Sequence, residues 1–203
     1  MLDSAMRPVK DRVLAPLANT PITAVHPTVI SVVGLLLTLG AAIAASQGLS
    51  VASVALWLLG RLADGIDGLA ARASGRSSDV GGLLDFVFDT IGYASVPVGL
   101  AFGIDTRTGW IVTAVLLATF YLNAVSLGYV AALLEKANLG AAARGESTSA
   151  TLPRGLVEGT ETIVIFTVAL AVPSAAPITW SIMAALVVIT ALERVRWAAG
   201  ELS

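Results

Sequence analysis

VASVALWLLGRLADGIDGLAARASGRSSDVGGLLDFVFDTIGYASVPVGLAFG, residues 51–103, consists of two apolar runs joined by a short polar turn, and both runs carry aspartates. A hydrocarbon core about 30 Å thick needs a helix of about 20 mostly apolar residues, and the runs 51–71 and 82–103 each supply one. Outward from this pair lie four more runs, 28–45, 110–134, 156–172 and 178–192, divided by turn signals such as Ser46-Gln47-Gly48, Ser74-Gly75 and Pro173-Ser174. The whole chain of 203 residues is 56% hydrophobic and only 13% charged, where a soluble domain carries about 25% charged residues. Lipid rather than water is the solvent this surface suits. The expected fold class is all-α, a polytopic membrane protein with six transmembrane helices.

The first twenty residues set Arg7, Lys10 and Arg12 beside Met6, Val9, Val13, Leu14 and Leu17, a spacing that suits an amphipathic interfacial helix. A cleavable secretory signal is not expected, because no suitable apolar stretch follows the short basic start. The domain reading is one membrane domain, 1–203, in which residues 1–20 form the interfacial helix and 21–203 the bundle.

Lys and Arg fall at alternate ends of the runs. Three lie in the amino-terminal segment; Arg72 and Arg76 follow run two; Lys136, Arg144 and Arg154 follow run four; Arg194 and Arg196 lie in the tail; the other three loops hold only Arg107. The positive-inside bias then places both termini and the loops after runs two and four in the cytoplasm. With 12 Lys+Arg against 14 Asp+Glu there is no excess basic surface for nucleic acid phosphates. The absence of cysteine excludes disulfides, thiolate metal sites and thiol nucleophiles.

The anomaly is acidic. Asp64 and Asp67 close run two, and Asp85 and Asp89 open run three, at i,i+3 and i,i+4 spacings that put each pair on one helix face. A short turn between antiparallel helices lets the pairs meet at similar depth. A charge at a helix centre costs about 2.5–3.5 kcal/mol even on the lenient insertion scale, so four unpaired carboxylates would cost around 10 kcal/mol at that depth. Arg61 and Arg72 cannot neutralise four carboxylates, and no His or Cys is nearby. Hard divalent cations held by oxygen, Mg²⁺ or Mn²⁺ before zinc, fit the donor set. Gly65, Gly68, Gly81 and Gly82 lie among the acids, where missing side chains allow close approach by a ligand or another backbone. The bland alternatives are carboxylates snorkelling into the interface and Arg72 acting as an ordinary positive-inside anchor; four acids on two faces with interleaved glycines weigh against the first.

Asp64-Gly-Ile-Asp67-Gly68-Leu-Ala-Ala71-Arg72, followed by Gly81-Gly-Leu-Leu-Asp85-Phe-Val-Phe-Asp89, resembles the signature of the CDP-alcohol phosphatidyltransferases, D-x-x-D-G-x-x-A-R then G-x-x-x-D-x-x-x-D, with every fixed position present. Pro27-Thr28-Val29-Ile30 is similar to the family's Pro-Asn/Thr stretch near the nucleotide pocket. The resemblance implies an enzyme of phospholipid biosynthesis that transfers a phosphatidyl or similar lipid phosphate group from a CDP-linked lipid to a small polar alcohol and releases CMP. It implies that Asp64, Asp67, Asp85 and Asp89 bind metal, two Mg²⁺ or Mn²⁺ ions, and that Asp89 accepts the proton of the attacking hydroxyl. Pro27, Thr28, Val29, Ile30, Gly68, Arg72 and Ser78 would hold the CDP-lipid. Relatives are often homodimers, and a homodimer is expected.

For the acceptor, Arg154, Glu158 and Glu161 form a stripe opening run five, and Arg194 closes run six on the same side. Lys136, Arg154 and Arg194 lie roughly where inositol-phosphate-using relatives carry basic acceptor-binding residues, whereas the glutamates would suit a neutral polyol or an amine such as serine; glycerol phosphate is a further alternative. An interhelical ion pair is the structural alternative for the same charges. Residues 138–153, rich in Gly, Ser and Thr, read as a cytoplasmic loop that would cover the site. His26 is assigned no role. Intramembrane carboxylates also serve cation-coupled transporters, but here the acids cluster toward one side and no internal repeat is visible. An inactive relative has no motif damage to recommend it.

Overall fold

The computed structural model describes residues 20, 25–140, 143 and 159–202. The expected interfacial helix, the loop lysine and arginines before residue 20, and Arg144, Arg154 and Glu158 lie outside the described residues. Within them the chain is all-α, with helices α1 Pro27–Ser46, α2 Ser50–Ala73, α3 Asp79–Ile104, α4 Arg107–Lys136, α5 Gly159–Ala171 and α6 Ala176–Glu201, and a single 3₁₀ turn Pro173–Ala175 before α6.

Each helix starts where local chemistry permits. Pro27 stands in the first turn of α1, where its missing N–H costs nothing. Ser78 caps α3 by accepting a hydrogen bond from the Gly81 N–H at 3.1 Å, and Thr106 caps α4 by accepting one from the Gly109 N–H at 3.0 Å. Gly75 takes φ +66° in the turn between α2 and α3, a conformation that glycine adopts without strain. Within the described residues each of the six apolar runs overlaps a helix, the fifth over Gly159–Ala171. The last helix continues to Glu201 rather than ending at 192, because Ala, Leu, Glu and Arg sustain a helix after the apolar run has stopped.

Four helical stretches, Pro27–Ser46, Asp79–Ile104, Arg107–Lys136 and Pro173–Glu201, are long and apolar enough to cross a membrane. α2 has the length, 24 residues, but Arg61, Asp64, Asp67 and Arg72 interrupt its apolar character. Thirteen residues of α5 are described. The distribution of side chains is that of a lipid-solvated bundle. Leu36, Ile43, Val51, Ile178 and Leu192 point outward, while Ala41, Ala42, Ala45, Thr38, Ser53, Thr113 and Thr162 are buried. In lipid, burying a leucine brings little gain, and small residues that let helices approach closely do more.

α1 packs along both α2 and α3, α6 packs along α4 and α5, and α5 meets α2. An aromatic cluster joins the two halves: Phe166 stacks on Trp57 with centroids 5.0 Å apart and meets Trp180 edge-on at 4.9 Å, and Tyr93 lies 5.7 Å from the same ring. Such pairs contribute about 0.5–1.5 kcal/mol beyond area burial. α1 and α3 come into close contact at Gly99, where a Cβ atom would fall on the carbonyl oxygen of Ala42, and again at Gly103 against Ala45. Gly99→Ala is therefore expected to force the helices apart and lower stability by about 1–3 kcal/mol, read as a lower thermal unfolding midpoint in detergent. Gly128→Ala, where an added Cβ meets nothing within 4 Å, is expected to leave that midpoint unchanged or slightly higher, because alanine favours helix by about 1 kcal/mol.

Candidate active site

The close packing of α1, α2 and α3 decides which polar side chains meet. One oxygen each of Asp64, Asp67 and Asp85 can be chosen so that all three lie within 4.8 Å of one another. Asp67 is buried and Asp85 exposed, so the group opens to one side. The Ser31 hydroxyl of α1 donates to Asp67 Oδ2 at 2.5 Å, which fixes that carboxylate from a third helix. At an effective dielectric constant of about 20, two such charges less than 5 Å apart repel by roughly 3 kcal/mol or more, and three pairs share the chamber.

Asp89, one turn beyond Asp85, takes a different partner. It is ion-paired with Arg61 of α2, and the same guanidinium nitrogen lies 3.9 Å from Asp64. The Arg61 side chain is only 8% exposed and lies over the rings of Trp57 and Tyr93, 5.1 and 5.6 Å from their centroids. From sequence alone Arg61 counted only as a nearby positive charge. Its position three residues before Asp64 was visible, but its pairing with Asp89 depends on how α2 and α3 rotate against each other.

A cavity of about 320 Å³ adjoins the carboxylates and is lined by Asp67, Asp85, Pro27, Thr28, Gly68, Arg72 and Ser78, together with His26 and Arg76. Arg72 folds back over Gly68, where a Cβ would stand 3.2 Å from a guanidinium nitrogen; a larger residue there would crowd the arginine. Two of the residues expected in this pocket are elsewhere. Val29 is exposed and Ile30 is buried beside Ile66 and Ala70, because successive helical residues point about 100° apart and only one face of α1 fronts the cavity. His26, given no role from sequence, stands in the cavity wall.

On the other side of Asp89 lies a second cavity of about 240 Å³, walled by Asp89, Tyr93, Asn123, Thr162 and Thr190 among others. Arg194 is buried, and its Nη1 donates to the Asn123 carbonyl at 3.2 Å, to Asn123 Oδ1 at 2.9 Å and to Ser126 Oγ at 2.9 Å. Arg194 is thus one residue removed from the cavity wall, through Asn123. Lys136 is exposed in the last turn of α4, and Glu161 lies half-buried in the first turn of α5; neither lines this cavity. Ser31 and Asn123 were not singled out from sequence, although a lone amide inside the apolar run 110–134 was a signal that could have found the second.

Residues 24–192 match the CDP-alcohol phosphatidyltransferase family, and the chain belongs to that family of membrane-embedded transferases of phospholipid synthesis. It is 35% identical over 123 residues to the inner membrane protein YnjF of Escherichia coli K12, a match covering 59% of this chain and 56% of that protein's length. It is 30% identical over 159 residues, 78% of this chain and 74% of the relative, to the archaetidylinositol phosphate synthase of Pyrococcus horikoshii. The fold is shared with the Mycobacterium tuberculosis phosphatidylinositol phosphate synthase PgsA1 with CDP-DAG bound, at TM-score 0.71, 23% identity and coverage of 92% and 94% of the two chains. The same protein in complex with manganese and citrate matches at TM-score 0.67 and 22% identity, covering 94% and 87%.

The three-carboxylate group fits a hard divalent ion: its donors are all oxygen, they converge from two helices, and among the described residues Arg61 is the guanidinium ion-paired with one of them, through Asp64 at 3.9 Å. Mn²⁺ added to the purified protein is accordingly expected to raise its thermal midpoint, and Asp85→Asn to abolish that rise. Ser31→Ala, which removes only the hydrogen bond to Asp67, should weaken the Mn²⁺ half-saturation about 10-fold. Equal Mn²⁺ response in wild type and Asp85→Asn would contradict the assignment.

Proposed function

We propose that this chain transfers a phosphatidyl or similar lipid phosphate group from a CDP-linked lipid to a small polar alcohol and releases CMP. The observation that carries the reading is the convergence of Asp64, Asp67 and Asp85, the last two in the wall of a cavity that also presents Arg72. Those three carboxylates would hold one Mg²⁺ or Mn²⁺, and a second ion would require Asp89 to contribute as well. The chemistry divalent ions supply in such a site is neutralisation of the diphosphate and stabilisation of the departing nucleotide phosphate.

The chain's own groups do the rest. Arg72 offers planar paired donors to phosphate oxygens, which a lysine does not reproduce. Gly68 leaves room for that guanidinium, and Ser78 with the first turn of α3 presents polar groups to the same cavity. Asp89 faces the second cavity, where its carboxylate accepts the proton of the attacking hydroxyl. Bond formation between the acceptor oxygen and the lipid-bearing phosphorus, with cleavage of the phosphoanhydride, gives a phosphodiester and CMP.

For the acceptor, we favour a phosphorylated polyol of the inositol phosphate type. Arg194 beside the second cavity supports an anionic acceptor, as do the names of the Pyrococcus horikoshii and Mycobacterium tuberculosis proteins. Asn123, Thr162 and Thr190 in the cavity wall suit the hydroxyls of such a molecule. Serine and glycerol phosphate are the alternatives. The nucleotide-sized cavity and the family match favour transfer over cation transport. We also place the site and both termini on the cytoplasmic side, from the distribution of Lys and Arg, take the chain as a single membrane domain, and infer a homodimer from its relatives.

The test is incubation of the purified protein with CDP-diacylglycerol, Mg²⁺ or Mn²⁺ and each of inositol phosphate, inositol, glycerol phosphate, serine and choline, with the lipid product identified by mass. CMP release is expected with inositol phosphate, to be lost on chelation and to fall by about 10²–10⁴-fold in Asp89→Asn. Product formed only with serine would overturn the acceptor, and absence of CMP release with every alcohol would overturn the transfer. Arg72→Lys should raise KM for the CDP-lipid with a smaller change in kcat; a wild-type KM would remove Arg72 from the pocket.

A further inference from the structure

Asn123 is the one carboxamide of α4, near the middle of a helix that is mostly apolar. Such a side chain is costly among lipid tails unless it bonds across to another helix. Half of it does. Its Oδ1 accepts from Arg194 Nη1 of α6 at 2.9 Å, and its backbone carbonyl accepts from the same nitrogen at 3.2 Å and from Ser126 Oγ at 2.9 Å. A guanidinium has donors only, so the amide atom that meets Arg194 has to be the oxygen. That fixes which way the amide lies, with its NH2 on the side away from the cation. Among the described residues the NH2 makes no hydrogen bond. Arg194 is itself buried and tied a third time, to Ser126 Oγ at 2.9 Å, so the amide cannot turn over without breaking a charge-assisted bond. Asn123 stands in the wall of the second cavity together with Asp89, and the two also share the wall of a further cavity of about 430 Å³, surrounded by apolar side chains such as Leu117 and Phe120. One polar group in this space accepts and the other donates.

We propose that Asn123 is a specificity-determining residue: clamped through Oδ1 by Arg194, it offers its NH2 to an oxygen of the acceptor beside the hydroxyl that attacks, and so selects a polyol over an amino alcohol. The proposal rests on the reading of the second cavity as the acceptor site. There the attacking hydroxyl gives its proton to Asp89 while its oxygen bonds to the lipid-bearing phosphorus and the phosphoanhydride bond breaks to free CMP. The group on the neighbouring carbon meets Asn123. A hydroxyl there accepts from the NH2, whereas the ammonium of serine has donors only and would face donors. An unclamped asparagine could turn its oxygen toward an ammonium; the bond to Arg194 prevents that. Thr162 and Thr190, also in the wall, carry hydroxyls that donate or accept and do not discriminate in this way. A site built to hydrogen-bond a hydroxyl rejects a molecule without it strongly, because the site's own polar group is then left unpaired.

The experiment compares wild type with Asn123→Asp and Asn123→Ala as intact purified protein. It measures CMP release from CDP-diacylglycerol with inositol phosphate, inositol, glycerol phosphate and serine, and with an analogue of the best polyol that lacks the oxygen beside the attacking hydroxyl. Asn123→Asp keeps an oxygen for Arg194 but puts an acceptor where the NH2 was, so it separates holding the arginine from touching the substrate. In wild type the deoxy analogue is expected to lose about 10- to 100-fold in kcat/KM. Asn123→Asp and Asn123→Ala should lose about as much on the polyol itself and no more on the deoxy analogue, with KM for the CDP-lipid unchanged. The preference for the polyol over serine should narrow about 10-fold or more in Asn123→Asp. If Asn123→Asp keeps a wild-type kcat/KM for the polyol while Asn123→Ala melts lower and fails on all acceptors alike, Asn123 serves only to hold Arg194 and the proposal is overturned. It is equally overturned if the deoxy analogue is penalised as much in the variants as in wild type, an outcome that leaves the acceptor-site reading intact. A wild type that uses serine but no polyol overturns the selection proposed for Asn123. Absence of CMP release from wild type with every alcohol removes the acceptor-site reading and the proposal with it.

Discussion

Mutual repulsion among carboxylates held less than 5 Å apart is the interaction around which this molecule is organised. Left to themselves, Asp64, Asp67 and Asp85 would drive α2 and α3 apart, and each would be better solvated in water. What opposes them is the fit of α1 against both helices. Thr38 is fully buried at the point where Gly60 of α2 and Gly92 of α3 come closest to it, and Gly99 and Gly103 bring the α3 backbone onto the carbonyls of Ala42 and Ala45. Contacts this close need residues without Cβ atoms, and a bundle in lipid gains its stability from them rather than from burying leucine. The same helix that clamps the pair supplies Ser31, so one element both forces the acids together and orients one of them.

The two halves of the bundle contribute different chemistry. α1, α2 and α3 build an anionic chamber beside an arginine and a set of small residues, a combination suited to a phosphate-rich ligand and its counterions. α4, α5 and α6 contribute Asn123, Thr162 and Thr190 to the second cavity and hold Arg194 by three acceptors on one nitrogen. A guanidinium tethered in that way is fixed against α4, one residue behind the cavity wall. The aromatic cluster of Trp57, Tyr93, Phe166 and Trp180 lies where the halves meet, and Tyr93 extends from it into the wall of the second cavity.

Much of this was legible in the amino-acid sequence, for identifiable reasons. The i,i+3 and i,i+4 spacings placed each pair of aspartates on one helix face whatever the tertiary structure, and a five-residue turn left the two pairs little choice but to lie side by side. Runs of apolar residues marked the six α-helices among the described residues, because lipid makes hydropathy a strong guide to position. Hydropathy was a poor guide to where a helix stops, as α6 shows by continuing through Glu193, Arg194 and Arg196. Interhelical rotation was hidden too. Nothing in the order of residues says that Val29 and Ile30 turn away from the cavity that Pro27 and Thr28 line, or that Arg61 reaches across to Asp89 as well as to Asp64 on its own helix. These are facts about pairs of helices, and they depend on how closely Gly60, Gly92 and Gly99 let the helices approach one another.

Asp89 occupies the one position where both demands on the site meet. In the transfer we propose, a donor with lipid tails and an acceptor soluble in water approach the same phosphorus from different phases, so a group that takes the acceptor's proton belongs between the two cavities rather than deep in either. α3 runs between the two: Asp85 lines the first cavity, and Asp89, one turn further along, lines the second. Four residues of helix advance about 6 Å and rotate by about 400°, so the two carboxylates share a helix face yet are displaced along the axis. That displacement is small enough for both to surround one reaction centre, and large enough for a cation on α2 to claim Asp89 while leaving Asp85 to its neighbours.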